Sequence, residues 1–595
     1  MSGPVDVCVA VPKLALDRPF TYRLDETQDA GTGSLVSVPF HGRTVAGWVL
    51  GPAREVPGGR LLRVRKVRSS VRFFDRDMLE LLRWVSERYM APLASVIHRS
   101  HPPRVAGEEE AAGGKTTASA HGTPIIGRSG ATTILKAGST TWLRPLPGQE
   151  ADTCIGAVRA SLDTGRRAVV LVPEADPVPG TAAAVLEAFG EGAVSFLGGD
   201  ARTRYRTWLE IRQGCYDVVV ASRPGVFAPL RHLGLIWISR EVHPGHREDR
   251  APYYHVREVA MARARLHGAA CVLASLSPSV ETAAATVRGG IAVSRSARTA
   301  ERGAAPLVET TPPKAEDRST RLAALLKKAR SAALVVSRRG YGVARVCRSC
   351  GEPAKCARCH GPIVAERGAA TCGVCRATGA CASCGGGSFG IERGGAERVA
   401  QWAGHVATVP VRLAGGEGDA ARPDETGVLV GTAASVKDVG PVRLDLVAIL
   451  DPDRALARPG VHVAEQSLAT WMEAASWAGP RSGEGRVLVQ TRKPGHPAIQ
   501  ALVRWDPVGY LLGEGSRRSE AGFPPGHPVY RMAGRGDLAG ELRSAGATTV
   551  LSTSAERGTL CLVAVPPDKL GAFRHEVLRL VAEGAIDRVE AEPQL

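Results

Sequence analysis

Eight cysteines between Cys347 and Cys384 form four Cys-x-x-Cys pairs: Cys347/Cys350, Cys356/Cys359, Cys372/Cys375 and Cys381/Cys384. The pairs are separated by residues 351–355, 360–371 and 376–380, so the block is symmetric about its middle. Two thiolates two residues apart can grip one tetrahedral zinc from a tight turn, and two such turns close a four-cysteine site. Eight thiols therefore imply two zinc ions per chain. The long central gap suits a β-hairpin that brings two turns face to face, as in a zinc ribbon. This assigns Cys356, Cys359, Cys372 and Cys375 to an inner zinc and Cys347, Cys350, Cys381 and Cys384 to an outer one. Sequential pairing, with each short gap inside one site, is the alternative. A disulfide cluster fits less well, because no signal peptide is read and the other five cysteines (Cys8, Cys154, Cys215, Cys271, Cys561) are scattered singly. With cysteine at every position no coordination site is left open, so the zinc is structural. The surrounding residues are basic: Arg348, Lys355, Arg358, Arg367 and Arg376 against Glu352 and Glu366.

The elements that must carry this block belong to a chain of 595 residues, long enough for several domains. Lys plus Arg exceed Asp plus Glu by 76 − 59 = 17. That excess favours a polyanionic partner held through phosphate contacts; a generally Arg-rich composition is the plainer alternative. No apolar run approaches the ~20 residues of a membrane span, so no membrane partner is expected. Reduced cysteines and zinc point to the cytoplasm.

Residues 1–70 read as short strands with Gly/Pro turns, a β-rich domain. Phe20, Tyr22 and Phe40 serve equally as core or as base-stacking groups, and Arg18 and Arg43 beside them keep nucleic-acid binding open. Residues 71–103 turn helical, with Leu79, Leu82, Val85 and Tyr89 on a helical period, as in a small winged-helix-like module. Residues 104–140 read as a linker, in which Gly113-Gly114-Lys115-Thr116 lacks the strand and apolar helix of a phosphate loop. Residues 141–295 alternate buried parallel strands (Ala168–Pro173, Asp217–Ala221, Leu233–Ile238, Cys271–Ala274) with helices, the mark of a doubly wound sheet. Residues 296–318 read as a second linker, residues 319–505 as a second α/β unit with the insertion 347–384, and residues 506–595 as a smaller α+β domain.

In this order the motifs resemble one family across nearly the whole chain: the primosomal protein N-prime (PriA) family of bacterial replication-restart DNA helicases, in an actinobacterial-type form with degenerate helicase motifs. The resemblance rests on Arg18-Pro19-Phe20-Thr21-Tyr22, Val38-Pro39-Phe40, Leu171-Val172-Pro173-Glu174, Phe227-Ala228-Pro229, Arg338-Arg339-Gly340-Tyr341, the eight cysteines, Gly431-Thr432, Val489-Gln490-Thr491 and Phe523-Pro524-Pro525. It implies two RecA-like helicase lobes, an N-terminal domain that captures the 3′ end of a nascent strand, a zinc-binding insertion and ATP-driven unwinding.

The ATP side of the resemblance fails residue by residue. A GxxGSGKT phosphate loop would place glycine amides and a lysine on the phosphates. Its position reads Pro145-Leu146-Pro147-Gly148-Gln149-Glu150-Ala151-Asp152, with Ala151 for the lysine and Asp152 for the hydroxyl. The magnesium-binding DEEH box reads Ser239-Arg240-Glu241-Val242, and the arginine-finger motif reads Glu473 to Pro480, with Trp477 and Pro480 for its arginines. Loss of an arginine finger alone costs about 4–7 kcal/mol of transition-state stabilisation. The expectation is a helicase-shaped protein without helicase activity, with no catalytic or nucleotide-binding residue to name.

The nucleic-acid side persists. By the resemblance Phe20, Phe40, Gly42 and Arg43 are candidates for the 3′-end pocket, and Tyr253 and Tyr254 lie in a segment like the family's aromatic-rich DNA loop. Arg338 and Arg339 could hold a phosphate. The implied partners are branched or forked DNA, primosome components, the replicative helicase loader and single-stranded-DNA-binding protein, met by a monomer. Two other readings stay open: an active ATP-dependent 3′–5′ helicase, and a zinc-bearing scaffold that does not touch DNA.

Overall fold

The fold is that of a computed structural model, which describes residues 3–112, 135–313, 318–337 and 343–593, apart from 351, 353, 367–368, 373–374, 394, 415–422, 424–425, 459, 484 and 556–557. The chain divides into two compact units: Met1–Pro145, Gln149–Arg295 and Leu511–Gln594 make up the first, and chiefly Ser296–Tyr510 the second. No described helix is long and apolar enough to cross a membrane.

In the first unit the amino-terminal residues form an antiparallel sheet, in spatial order Phe20–Leu24, Gly3–Val9, Arg43–Pro52, Ser34–Phe40 and Lys66–Arg72. The sheet curls on itself. Arg23 N–H donates to the Leu62 carbonyl at 2.9 Å and Val64 N–H to the Arg23 carbonyl at 3.0 Å, so the segment before the last strand returns to the first edge. Alternate residues point inward, and Val5, Val7, Tyr22, Leu24, Val36, Val38, Val49 and Val64 fill the interior. Gly47 is needed where strands pass closely, because a Cβ there would lie 2.7 Å from Val7 Cγ1. Helices Arg76–Arg88, capped by Asp75 accepting from Met78 N–H at 2.8 Å, and Leu93–Arg99 follow. Among the described residues no strand pair accompanies them to form a wing.

The stretch expected as a linker from 104 begins instead as a docked helix, Ala106–Ala112. Its acids, which read as solvated charge, are what hold it. Glu108 meets Arg202 at 3.2 Å and Arg206 at 2.7 Å. Glu109 accepts from Arg104 at 2.7 and 2.8 Å, from Tyr205 at 2.5 Å and from Ser69 at 2.9 Å. Gly113 to Thr116 lie outside the described residues.

The first α/β sheet is seven-stranded and parallel: Ala292–Arg295, Thr140–Arg144, Ala270–Ala274, Leu233–Ile238, Arg167–Leu171, Val218–Ala221 and Ala193–Phe196. Its strands Val218–Ala221, Leu233–Ile238 and Ala270–Ala274 are buried at every position but Gly234, which explains their unbroken apolar sequence. A four-stranded antiparallel sheet, Thr549–Ala555, Gly558–Ala564, Val529–Gly534 and Ile586–Ala591, closes the chain. It is tied back within the same unit at one joint. Arg88 pairs with Glu592, Arg247 donates to the Ala591 carbonyl at 3.0 Å, and His255 N–H donates to Tyr89 Oη at 3.1 Å.

In the second unit a six-stranded parallel sheet runs Leu307–Thr311, Arg486–Gln490, Leu446–Leu450, Ser331–Val336, Gly427–Thr432 and Val411–Leu413. The supposed linker 296–318 thus supplies a helix, Arg298–Ala304, and the edge strand Leu307–Thr311. Its Ala/Pro/Thr-rich composition hid a strand that an edge position lets stay half exposed.

Burial works to raise the Glu109 carboxyl, but hydrogen bonds from Arg104, Tyr205 and Ser69 outweigh it and hold the group below its ordinary range. Glu109→Gln is expected to lower the stability of the first unit at pH 7 by about 1.5–3 kcal/mol. A depressed folded value means the carboxylate's contribution is complete above the unfolded value and is lost as pH falls through the folded one. The difference in melting temperature between the two proteins should therefore shrink below about pH 4.

Candidate functional site

The cysteine block assembles from four turns of one design. In each, the N–H of the first cysteine donates to the carbonyl five residues on: Cys347 to Glu352, Cys356 to Gly361, Cys372 to Ala377 and Cys381 to Gly386, all at 2.8–2.9 Å. The residue after the second cysteine turns left-handed in the three turns where it is described: His360 (φ 58), Arg376 (φ 58) and Gly385 (φ 73). The hairpin Ile363–Glu366 with Ala369–Cys372 brings the two middle turns together. The strands Val343–Cys347 and Phe389–Arg393 bracket the outer pair.

The result is two four-thiol clusters, Cys347/Cys350/Cys381/Cys384 and Cys356/Cys359/Cys372/Cys375, each with its sulfurs within 4.8 Å of one another. This is the nested arrangement, not the sequential one. Closest sulfurs lie 3.5 Å (Cys347–Cys384) and 3.8 Å (Cys350–Cys381) apart in one cluster, and 3.7 Å (Cys356–Cys375) and 3.4 Å (Cys359–Cys372) in the other. Backbone N–H groups of Arg358 and Cys375 point at Cys356 Sγ and Cys372 Sγ. The insertion is anchored within its own unit by Lys355, which donates to the Ala457 carbonyl at 3.0 Å, and by Glu352, 2.8 Å from Lys493.

Four of the DNA-contact candidates meet at one end of the amino-terminal barrel. The Phe20 and Phe40 rings pack edge to face at 5.0 Å, and Arg18 lies over Phe20 at 5.2 Å. Phe40 and Arg43 close the hairpin as a cross-strand pair, with His41 (φ 46) and Gly42 (φ 75) as its two turn residues. His41, Gly42 and Arg43 are exposed, and both phenylalanines are half-buried. Tyr253 and Tyr254 part ways. Tyr254 is fully buried with its ring 5.2 Å from Phe227, so it cannot stack on a base. Its adjacency to Tyr253 in sequence concealed that the two side chains face opposite ways. Tyr253 is half-buried; Arg588 sits over its ring at 5.6 Å and donates to its hydroxyl at 2.8 Å. Arg338 and Arg339 lie outside the described residues.

At the carboxyl ends of the first parallel sheet, helix Glu150–Leu162 opens with Glu150 and Asp152 in its first turn and no side-chain cap. The Ser239 hydroxyl, just past the buried strand Leu233–Ile238, donates to Glu150 Oε1. Arg240 follows in a left-handed conformation (φ 50), buried, with Glu174 3.9 Å away, and Glu174 also meets His243 at 3.1 Å. His246 is fully buried, and burial pushes it down to about 3, so it is neutral and donates from Nε2 to the Ser239 carbonyl at 2.7 Å. Glu241 is fully buried. Burial pushes its carboxyl upward against the pull of Arg257 at 3.2 Å, and it accepts from Ser279 N–H at 2.6 Å. Sequence reasoning missed the roles of Glu150 and Arg257. The one available signal was an acid at the first position of a helix where an anion site was expected. In the second unit Trp477 is buried and its carbonyl accepts from Leu444 N–H at 2.7 Å.

Two measurable consequences follow from these geometries. Left-handed backbone is costly for residues bearing a Cβ. His360→Gly and Arg376→Gly should each leave the insertion as stable or up to about 1 kcal/mol more stable, read by hydrogen exchange of the turn amides. Tyr254→Ala should cost about 3–5 kcal/mol in the first unit, as for other buried aromatics.

Residues 6–102 match the family described as the 3′ DNA-binding domain (3'BD). The chain is 30% identical over 575 residues to the PriA of Mycobacterium leprae, itself described as a probable replication restart protein, covering 89% of this chain and 87% of that one. It is 28% identical over 553 residues to the replication restart protein PriA of Treponema pallidum, covering 86% and 84%. A solved structure of RecG bound to a three-way DNA junction superposes on 73% of this chain and 51% of its own at 12% identity and a TM-score of 0.38, too slight to weigh. The chain belongs to the PriA family of replication restart proteins.

Proposed function

We propose that this chain binds stalled or branched replication forks and promotes primosome assembly and loading of the replicative helicase without unwinding DNA itself. In this reading the 3′ end of a nascent strand docks at the hairpin end of the barrel, against Phe20, Phe40, Gly42 and Arg43. Tyr253 adds a contact only where Arg588 yields its ring, and Arg338 and Arg339 hold phosphate. The partners are primosome components, the helicase loader and single-stranded-DNA-binding protein, and the setting is the cytoplasm.

One observation carries the non-catalytic part: the hydrogen bond from Ser239 to Glu150. A magnesium nucleotide needs amides, a lysine and a carboxylate there. The chain instead offers a negatively charged side chain at the helix start, paired with the residue that would hold the metal. These residues do not fit magnesium-ATP, and no step is assigned to it.

Both thiol clusters fit zinc. A tetrahedral site with Zn–S of about 2.3 Å has edges of about 3.8 Å, close to the closest sulfur separations of 3.4–3.8 Å. Cys347, Cys350, Cys381 and Cys384 would hold one ion and Cys356, Cys359, Cys372 and Cys375 the other. Filled, they would fix the insertion as a rigid platform for protein partners.

Fluorescence anisotropy with forked DNA should give the same affinity, within about twofold, with and without magnesium-ATP, and turnover of labelled ATP should not rise above background. ATP-dependent strand separation would sink the non-catalytic reading. Metal analysis should return two zinc ions per chain and one after Cys372→Ser; a wild-type value below two would remove the platform.

A further inference from the structure

Residues 54–72 carry seven Arg or Lys and a single acid, Glu55. Three of them, Lys66, Arg68 and Arg72, lie on the outward side of the last barrel strand. Along Lys66–Arg72 exposure alternates: Lys66, Arg68, Ser70 and Arg72 are exposed, while Val67, Ser69 and Val71 are turned in. The inward side is engaged, because Ser69 donates to Glu109 on the docked helix. The outward side is not. Lys66 and Arg68 make no ion pair among the described residues, and Arg72 meets only exposed Asp29, at 3.6 Å. Such an exposed pair contributes about 0–1 kcal/mol and yields readily to a stronger anion.

The ladder starts at the hairpin. Lys66 is the cross-strand partner of Ser37, three residues before Phe40. Arg65 donates from its backbone to the Ser37 carbonyl at 2.9 Å and from its guanidinium to Thr44 Oγ1 at 2.6 Å, next to Arg43. Lys66 pairs with Ser37 and Arg72 with Ser34, with a register shift between them, so the strand bulges between Val67 and Arg72; Lys66 and Arg68, successive outward residues before the bulge closes, are about 6.6–6.8 Å apart. Phosphates of one DNA strand recur about every 3.4 Å along a duplex axis, so Lys66 and Arg68 match every second phosphate, and Arg72 adds a third exposed cation beyond the bulge.

The geometry points to a phosphodiester track on the outward side of Lys66–Arg72, which grips the DNA strand as it leads back from the hairpin end of the barrel. It rests on the reading that a 3′ end docks there. The ligand is backbone phosphate, whether of a single strand or of the nascent strand within a duplex. Phosphate contacts of this kind hold no sequence information; they set register and affinity.

The test uses the full chain, a duplex with a 12-nucleotide 3′ tail and a blunt duplex, each with a 3′-hydroxyl or a blocked 3′-phosphate end, titrated between 50 and 300 mM salt. For Lys66→Glu/Arg68→Glu the log–log salt slope on the tailed DNA should flatten by about 1.4, at about 0.7 for each single-strand phosphate no longer neutralised. Affinity near 100 mM salt should fall at least about fivefold, with the preference for a free 3′-hydroxyl unchanged. Arg288→Glu, an exposed charge on the first α/β domain, should change neither. Phe40→Ala should abolish the end preference and keep the slope. Lys66→Gln/Arg68→Gln should flatten the slope in the same direction, which guards against a folding defect in the charge reversal. A larger drop in affinity on the tail assigns the track to single-stranded DNA, and a larger drop on the blunt duplex assigns it to the duplex backbone. A slope unchanged in both double variants, or a drop no greater than that of Arg288→Glu, overturns the track. A flattened slope in a protein without any end preference would leave the track standing and sink the 3′-end reading; no DNA binding at all would sink both.

Discussion

The carboxylate of Glu150 sits at the start of a helix, where backbone N–H groups lack partners and the helix dipole favours negative charge. Such a position attracts an anion, and in this fold the chain supplies its own. The Ser239 hydroxyl completes the arrangement from the end of the neighbouring buried strand. Around it the side chains are committed to one another: His246 is neutral on the Ser239 carbonyl, Arg240 and His243 share Glu174, and Glu241 is held by Arg257 and the Ser279 amide. Residues 149–152 stay half-buried or exposed, whereas Ser239, Arg240, Glu241 and His246 are buried. Buried groups hydrogen-bonded in this way resist rearrangement.

The cysteine block follows a different logic. Each turn is set by a backbone hydrogen bond reaching five residues on, and the sulfurs converge because that bond curls the chain around them. His360 and Arg376 accept left-handed backbone at a cost of about 1–2 kcal/mol each. A small domain with a core of Ala354, Cys356, Ile363 and Cys372 has little apolar surface to offset that cost. Coordination is the kind of interaction large enough to do so.

What could be read from the sequence was what local pattern determines. Cysteine spacing marked the pairs, and symmetry about the long central gap marked their nesting. Unbroken apolar runs marked the central parallel strands, because strands buried on both faces cannot hide their composition. Edge elements were illegible. Leu307–Thr311 is half exposed and looks like a spacer, and Ala106–Ala112 is held by ion pairs whose partners lie about ninety residues away. Tyr254 could not be told from Tyr253, since which of two adjacent aromatics faces inward depends on Phe227, a residue local pattern cannot bring near. The bond between Glu150 and Ser239 was beyond reach for the same reason, although an acid at a phosphate-loop position already pointed toward it.

The joint among Arg88, Tyr89, Arg247, His255 and Glu592 has a consequence for how the chain matures. Three stretches contribute to it, and the last is made only after some five hundred further residues have left the ribosome. Until then Tyr89 and Arg247 have no completed setting, and the loop that carries Tyr253 lacks the strand that covers its ring. The amino-terminal barrel can close early on its own contacts, but this corner is completed only once Ile586–Ala591 and Glu592 have emerged, tens of seconds later at about 5–20 residues per second.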